Sequence, residues 1–289
     1  PSGTNVYSTL QGAIDAAADG DIIHVAPAPG GYDGITIEGK SVKIYGPGYL
    51  VGAIPWSEIR INTGSNDSVT IIGPAASGTE IYGLAMRNLR PQNSDGTQPL
   101  ENVVIARCVV GGFFRSSSNG GTVTNWVFRN NVFENTLRTD DLFGGVVQNT
   151  IIANNLIGPN ASFVIAANAQ VYNNVVLSDG NQTEFDDSSV NNNIFYQTDL
   201  ASSCFSTSFS GERCKNSDFQ NNIFHETGRD DHDFSTDPNG NTGSGNIDAD
   251  PQFVTLEGVG SNIGRGDLVT NDFRLDTGSP GIGAGTDGS

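Results

Sequence analysis

Short runs of two to four apolar residues recur along the chain, each bounded by Asn, Gly, Ser or Asp. No stretch of ten or more residues keeps a 3.6-residue apolar period, apart from one near the start. The runs are rich in Val, Ile and Phe, which favour strands over helices. Strands are expected at residues 22–25, 35–37, 42–45 and 69–72. The exception is residues 8–18, where Leu10, Ala13, Ile14 and Ala17 share one helical face. A short amphipathic helix there would cover the open hydrophobic end of whatever the strands build.

The runs also repeat. Asn130-Asn131-Val132-Phe133 is followed by Asn154-Asn155-Leu156-Ile157, Asn173-Asn174-Val175-Val176, Asn192-Asn193-Ile194-Phe195 and Asn221-Asn222-Ile223-Phe224, with Gly245-Asn246-Ile247 as a worn copy. The second asparagines, Asn131, Asn155, Asn174, Asn193, Asn222 and Asn246, are spaced by 24, 19, 19, 29 and 24 residues. Upstream, Arg107-Cys108-Val109-Val110 and Arg87-Asn88-Leu89 fit the same slot. Such steps suit β-coils of about 20 residues per turn, with insertions lengthening some of them. Asn tolerates the left-handed backbone of a sharp corner. Stacked copies can also bond side chain to side chain, which satisfies polar groups that the coil would otherwise bury unpaired. An outward-facing row would instead offer a ligand-binding stripe. The internal ladder is the reading carried forward.

Composition narrows the partners. The 289 residues hold 14 Lys plus Arg against 32 Asp plus Glu, a formal net charge of −18. Nucleic acid is excluded as a natural partner, because phosphate binding needs basic patches. An anionic membrane surface is disfavoured for the same reason. No run of 18 apolar residues is present, so no helical membrane span is expected. The sequence opens at Pro1 with no basic, apolar leader, as expected of a processed chain or an excised piece. Of three cysteines, Cys204 and Cys214 flank a Ser- and Gly-rich stretch that a disulfide between them would close. Cys108 sits among apolar residues and is expected to be buried.

Two segments resemble a known family. Leu10-Gln11-Gly12-Ala13-Ile14-Asp15-Ala16-Ala17, running on to Gly20-Asp21-Ile22-Ile23-His24-Val25-Ala26-Pro27, is similar to the start of many bacterial pectate-lyase-like β-helix proteins. Asp248-Ala249-Asp250-Pro251-Gln252-Phe253, with Asp272-Phe273-Arg274-Leu275 and the glycine-rich residues 278–285, resembles their closing segment, although Gly281 and Gly283 stand where that pattern has Ala and Asp. Tyr45-Gly46-Pro47-Gly48-Tyr49-Leu50 resembles a segment of secreted Bacteroidetes-type surface proteins. The resemblance implies a bacterial, secreted or cell-surface protein. It does not select an activity, because the group mixes lyases, glycoside hydrolases, epimerases and adhesins. The expected fold is all-β, a single-stranded right-handed parallel β-helix (a solenoid). An N-terminal amphipathic helical cap and an internal Asn ladder complete it. Residues 1–30 would form the cap and first strand, and residues 31–289 the coils and closing segment of the same domain.

Candidate chemistry is sparse. A lyase acting on uronic acids needs a base and cations to neutralise the substrate carboxylate, yet the lysines are only Lys40, Lys43 and Lys215, in no lyase motif. Acidic clusters are the best lead. Asp140 and Asp141, and Asp230 and Asp231 with His232, are the candidate catalytic residues, since paired carboxylates serve glycosidases as acid and as nucleophile or base. Asp186, Asp187, Asp230, Asp231 and Asp233 could instead offer hard oxygen ligands to Ca²⁺, the one cofactor the sequence suggests. Glu184 belongs to the Asp186 cluster. His24 is expected to pack in a strand and His225 at a coil corner. Trp56, Trp126, Tyr172 and Tyr196 would favour glycan contact if exposed, or would fill the core. Asn66, Asn160 and Asn181 begin sequons that carry no weight in a bacterial protein.

The favoured function is an extracellular scaffold, adhesin-like or structural, contacting a polysaccharide or cell-surface glycan and attached to or stacked with other surface domains. A polysaccharide-acting lyase or hydrolase is the alternative, and a calcium-dependent carbohydrate-binding module a third.

Overall fold

A computed structural model describes residues 5–28, 31–48, 69–92, 98–113, 123–139, 147–158, 162–165, 167–177, 183–196, 214–227, 234, 239–255 and 272–282. The described chain is nearly all β, with one helix and long stacks of parallel strands, the pattern of a β-helix or solenoid. It divides into two compact units, Pro1–Asn131 with Asp141–Val147, and Val132–Asp140 with Gln148–Ser289.

In the first unit, Asp21–His24, Val42–Tyr45, Glu80–Tyr82, Val104–Ala106 and Val127–Arg129 form one parallel stack. A second stack joins Ile35–Ile37, Val69–Ile72, Ala85–Pro91 and Val109–Phe113. Alternation decides which side chains go inside. Ile23, Ile44, Ile81, Ile105 and Phe128 stand in register, and all are buried.

The helix Leu10–Ala16 caps this unit. The Thr9 Oγ1 accepts from the Gly12 amide at 3.1 Å, which supplies its N-cap, and Leu10 and Ile14 are buried. Gln11 completes the edge of the second stack. Its amide donates to Thr36 O at 3.1 Å and accepts from Thr36 N at 2.8 Å, as a neighbouring strand would. The Lys40 ammonium binds the carbonyls of Ile14, Asp15 and Ala17, where the helix dipole favours a cation.

The second unit repeats the plan. Ile151–Ala153, Gln170–Tyr172, Ser189–Asn191, Asp218–Gln220 and Thr242–Ser244 form one parallel stack. Val132–Arg138, Leu156–Ile157, Val175–Val176, Ile194–Tyr196, Ile223–His225 and Ile247–Asp248 form the other. Inside, the Phe195 and Phe224 rings stack at 5.2 Å. Phe219 stacks on Phe234 at 4.9 Å. Gly243 makes room for that ring, because a β-carbon there would lie 2.4 Å from Phe234 Cδ2.

The two asparagines of each repeat have separate tasks. The first takes the left-handed corner, with φ between 54° and 56° at Asn130, Asn154, Asn173, Asn192 and Asn221, and Gly245 takes it at 67°. Upstream the corner belongs to Arg107 and Gly83. The register pairs Ala85 with Val109 and Asn88 with Gly112. The upstream slot is therefore Gly83-Leu84-Ala85, not Arg87-Asn88-Leu89; the corner's conformational demand outranks the asparagine match.

The second asparagine turns inward. The Asn155 Nδ2 donates to Asn174 Oδ1 at 3.0 Å, Asn174 to Asn193 at 2.9 Å, Asn193 to Asn222 at 3.1 Å, and Asn222 to Asn246 at 3.0 Å. Each acceptor oxygen also takes the backbone N–H of the asparagine one coil earlier. In the first unit, Asn131 accepts from Cys108 N and donates to Ile105 O.

A hairpin closes the second unit. Phe253–Thr255 pairs antiparallel with Asp272–Leu275, and Phe253 meets Phe273 edge-on. Phe273 packs against Leu177, along with Leu156, Val175 and Tyr196. Cys214 is disulfide-bonded and Cys108 is a free, buried thiol. Cys204 lies outside the described residues.

Candidate functional site

Most of the acidic candidates, Asp140, Asp141, Asp230, Asp231, His232 and Asp233, lie outside the described residues, as does Trp56. Asp186 and Asp187 are described, and their surroundings are those of a coil corner. Asp187 has φ 47°, in the slot that Asn216 fills in the next coil at 50°. Asp186 Oδ2 lies 3.4 Å from Lys215 Nζ, with the two residues bridged in parallel through their backbones. Among the described residues, no group of three or more His, Cys, Asp or Glu side chains is placed to hold a metal ion.

That corner carries a second internal polar row. Ser188 N donates to Ser217 Oγ at 3.1 Å, Ser217 N donates to Asn241 Oδ1 at 3.0 Å, and Asn241 Nδ2 reaches Cys214 O. The signal was in the sequence: Asp187-Ser188, Asn216-Ser217 and Gly240-Asn241 each stand one step before a strand. It was weaker because the inward residue changes type.

The aromatic candidates separate. Trp126 is fully buried against Phe113 and Phe128, and its indole donates to Leu100 O at 3.4 Å. Tyr196 lies half-buried against Phe253 and His225. Burial, then the Asp250 and Glu226 charges, push its hydroxyl pKa up. His225 ends a strand, 3.9 Å from Glu226. Tyr172 faces outward and is half-buried, and its strand neighbours in register are Ala153 and Asn191.

The first unit carries an outward row that sequence reasoning did not assemble. His24 stacks on Tyr45 at 5.7 Å, and Tyr45 on Tyr82 at 4.9 Å with planes 7° apart. Beside it, Lys43 Nζ meets Glu80 Oε1 at 2.7 Å and the Tyr82 hydroxyl donates to Glu80 Oε2 at 2.7 Å. The Lys43 and Tyr82 contacts hold the Glu80 carboxyl below its ordinary range. Burial, then the bond to Glu80, raises Tyr82. With both oxygens engaged and the carboxyl ionised, Glu80 has no proton to donate and little basicity. This is an ion-pair row, legible afterwards from the alternation in Val42-Lys43-Ile44-Tyr45 and Glu80-Ile81-Tyr82. Cys108 is equally quiet, since burial pushes its thiol up to about 12.

The Glu80 contacts predict a pH dependence. A carboxyl depressed on folding adds stability above its unfolded value, near 4.5, that is lost as pH falls through the folded value. The Lys43 contribution has the opposite sense, present below 10.5 and lost as pH rises through its raised folded value. Urea midpoints of wild type and Glu80→Gln should therefore differ by a constant amount at neutral pH and converge in acid. A gap that persists undiminished in acid would rule out the assignment.

In the second unit the outward positions of Ser189–Asn191, Asp218–Gln220 and Thr242–Ser244 are polar, whereas those of Ile151–Ala153 are Ile151 and Ala153. Asn191 bonds Ser189, Gln220 bonds Asp218, and Thr242 and Ser244 bond Asp218 and Gln220 in the next strand. Tyr172 and Gln170 continue the two rows. This gives an array of hydroxyl, amide and carboxylate groups beside the half-buried Tyr172 ring. Among the described residues of these strands there is no Lys or Arg.

No family model, curated protein or solved structure matches the chain.

Proposed function

We propose that this chain is a right-handed parallel β-helix with an internal asparagine ladder, working as an extracellular or cell-surface scaffold of adhesin-like type. Its outward polar face in the second unit contacts glycan. The observation that carries the scaffold reading is the use made of the repeated asparagines. The amides of Asn155, Asn174, Asn193 and Asn222 are spent on each other and on backbone groups. The second asparagine of each repeat therefore serves cohesion between coils. A disulfide at Cys214 supports an extracytoplasmic setting, since such bonds persist under oxidising conditions.

The glycan reading rests on Tyr172 and the hydroxyl and amide groups beside it, the chemistry that sugars meet through stacking and hydrogen bonds. Binding to immobilised neutral and acidic polysaccharides tests it. Neutral chains should bind better than polyanions, which a surface of net charge −18 repels. Tyr172→Ala should weaken binding about tenfold, equivalent to about 1.4 kcal/mol, without moving the melting temperature. Equal binding by Tyr172→Ala would remove this face from the account.

A further inference from the structure

The two strand stacks of the first unit are finished differently at their N-terminal edge. Ile35–Ile37 is met by the Gln11 amide, which bonds both backbone groups of Thr36. Asp21–His24 pairs with Val42–Tyr45 on one side, and among the described residues no strand pairs with its other edge. Exposed strand edges are templates for further pairing, and folds that do not use them blunt them with charge, proline or a cover. Here the edge carries Ile22, 58% exposed, where a blunting lysine would be expected. A cleft of about 520 Å³ runs along it, walled by Leu10, Ala13 and Ala17 of the cap and by Ile22, Ile23 and Val25. Val6 and Tyr7, also exposed, form its rim.

We propose that this edge and cleft are a strand-docking site for an extended, cationic segment of a partner polypeptide. The rows already present specify the occupant. The outward ring row Tyr82, Tyr45, His24 stops at His24, so the next rung places an aromatic side chain there. The inward row Ile81, Ile44, Ile23 asks for an aliphatic residue just before it. Backbone pairing supplies affinity and these alternate positions supply selectivity, as in strand-addition complexes generally. Charge sets the remaining feature. Residues 1–40 hold Asp15, Asp19, Asp21, Asp33 and Glu38 against Lys40 alone, and the Lys40 ammonium is engaged by helix carbonyls. A basic strand is attracted to this end, and an acidic one is repelled. The inference is independent of the glycan face, which belongs to the second unit.

A natural probe exists. A labelled synthetic peptide with the sequence of residues 40–46 carries two lysines and the Val-Lys-Ile-Tyr order that already pairs with Asp21–His24. Titrated with the full chain, it should bind, and Ile22→Asp and His24→Asp should each weaken it at least about tenfold. Both variants change exposed side chains, so their melting temperatures should stay at the wild-type value. Added salt should weaken binding as well. The proposal is overturned if the peptide fails to bind, if a scrambled peptide binds equally, or if Ile22→Asp leaves binding unchanged. It is also overturned if sedimentation shows wild-type dimers that Ile22→Asp abolishes while the peptide does not bind, since the occupant is then a second copy of this chain.

Discussion

Replacing Asn174 by leucine is expected to destabilise the protein by about 3 kcal/mol, because several buried groups lose their partner together. Asn174 Oδ1 accepts from both the backbone and the side-chain nitrogen of Asn155. Its Nδ2 donates to Ile152 O, Tyr172 O and Asn193 Oδ1. Leucine has a similar volume, so the loss is polar and not a cavity effect. Stranding one buried group costs about 1–3 kcal/mol; more than one is stranded here, which places the expectation at the top of that range. The pair of variants Asn174→Leu and Asn193→Leu should be non-additive, since they share a bond. Urea denaturation of the single and double variants reads both quantities. A loss under about 0.5 kcal/mol, normal for exposed positions, would show that the amide row does not hold the coils.

Trp126→Ala should be as costly, about 3–5 kcal/mol, the usual range for removing a large buried aromatic. The ring packs against both Phe113 and Phe128, and these two rings, already held edge-on to each other, will not collapse fully into the space. The same variant distinguishes core from platform. A tryptophan serving as a sugar-stacking surface would be exposed, and its removal would change stability by no more than about 0.5 kcal/mol. Glycan binding by the folded fraction of Trp126→Ala should equal that of wild type.

The strands and the cap were legible because their signals are local. Val42–Tyr45, Ile35–Ile37 and Val69–Ile72 fall where the apolar alternation put them, and Leu10–Ala16 where the helical spacing did. The asparagine pairs were legible as a repeat, but the division between corner and interior was not. Both residues are the same type, and only backbone angle and burial tell Asn173 from Asn174. The slot upstream was misaligned at Arg87-Asn88-Leu89 because a corner can be turned by Gly83 or Arg107 without any asparagine. The outward rows were invisible for another reason. Lys43 and Glu80 are 37 residues apart and meet only because two coils stack in one register. Side-chain chemistry that arises between coils has no spacing rule in a solenoid whose insertions vary.

The most direct test of the scaffold account is an assay that scores binding and turnover on the same samples. The full chain would be incubated with neutral and acidic polysaccharides, with and without calcium, and reducing ends and unsaturated products measured alongside retention on the polymer. The account predicts saturable retention on a neutral polysaccharide, unaffected by chelator, with products at the level of the buffer. Turnover that disappears in Asp141→Asn or Asp231→Asn would contradict it and make the protein a polysaccharide-acting enzyme.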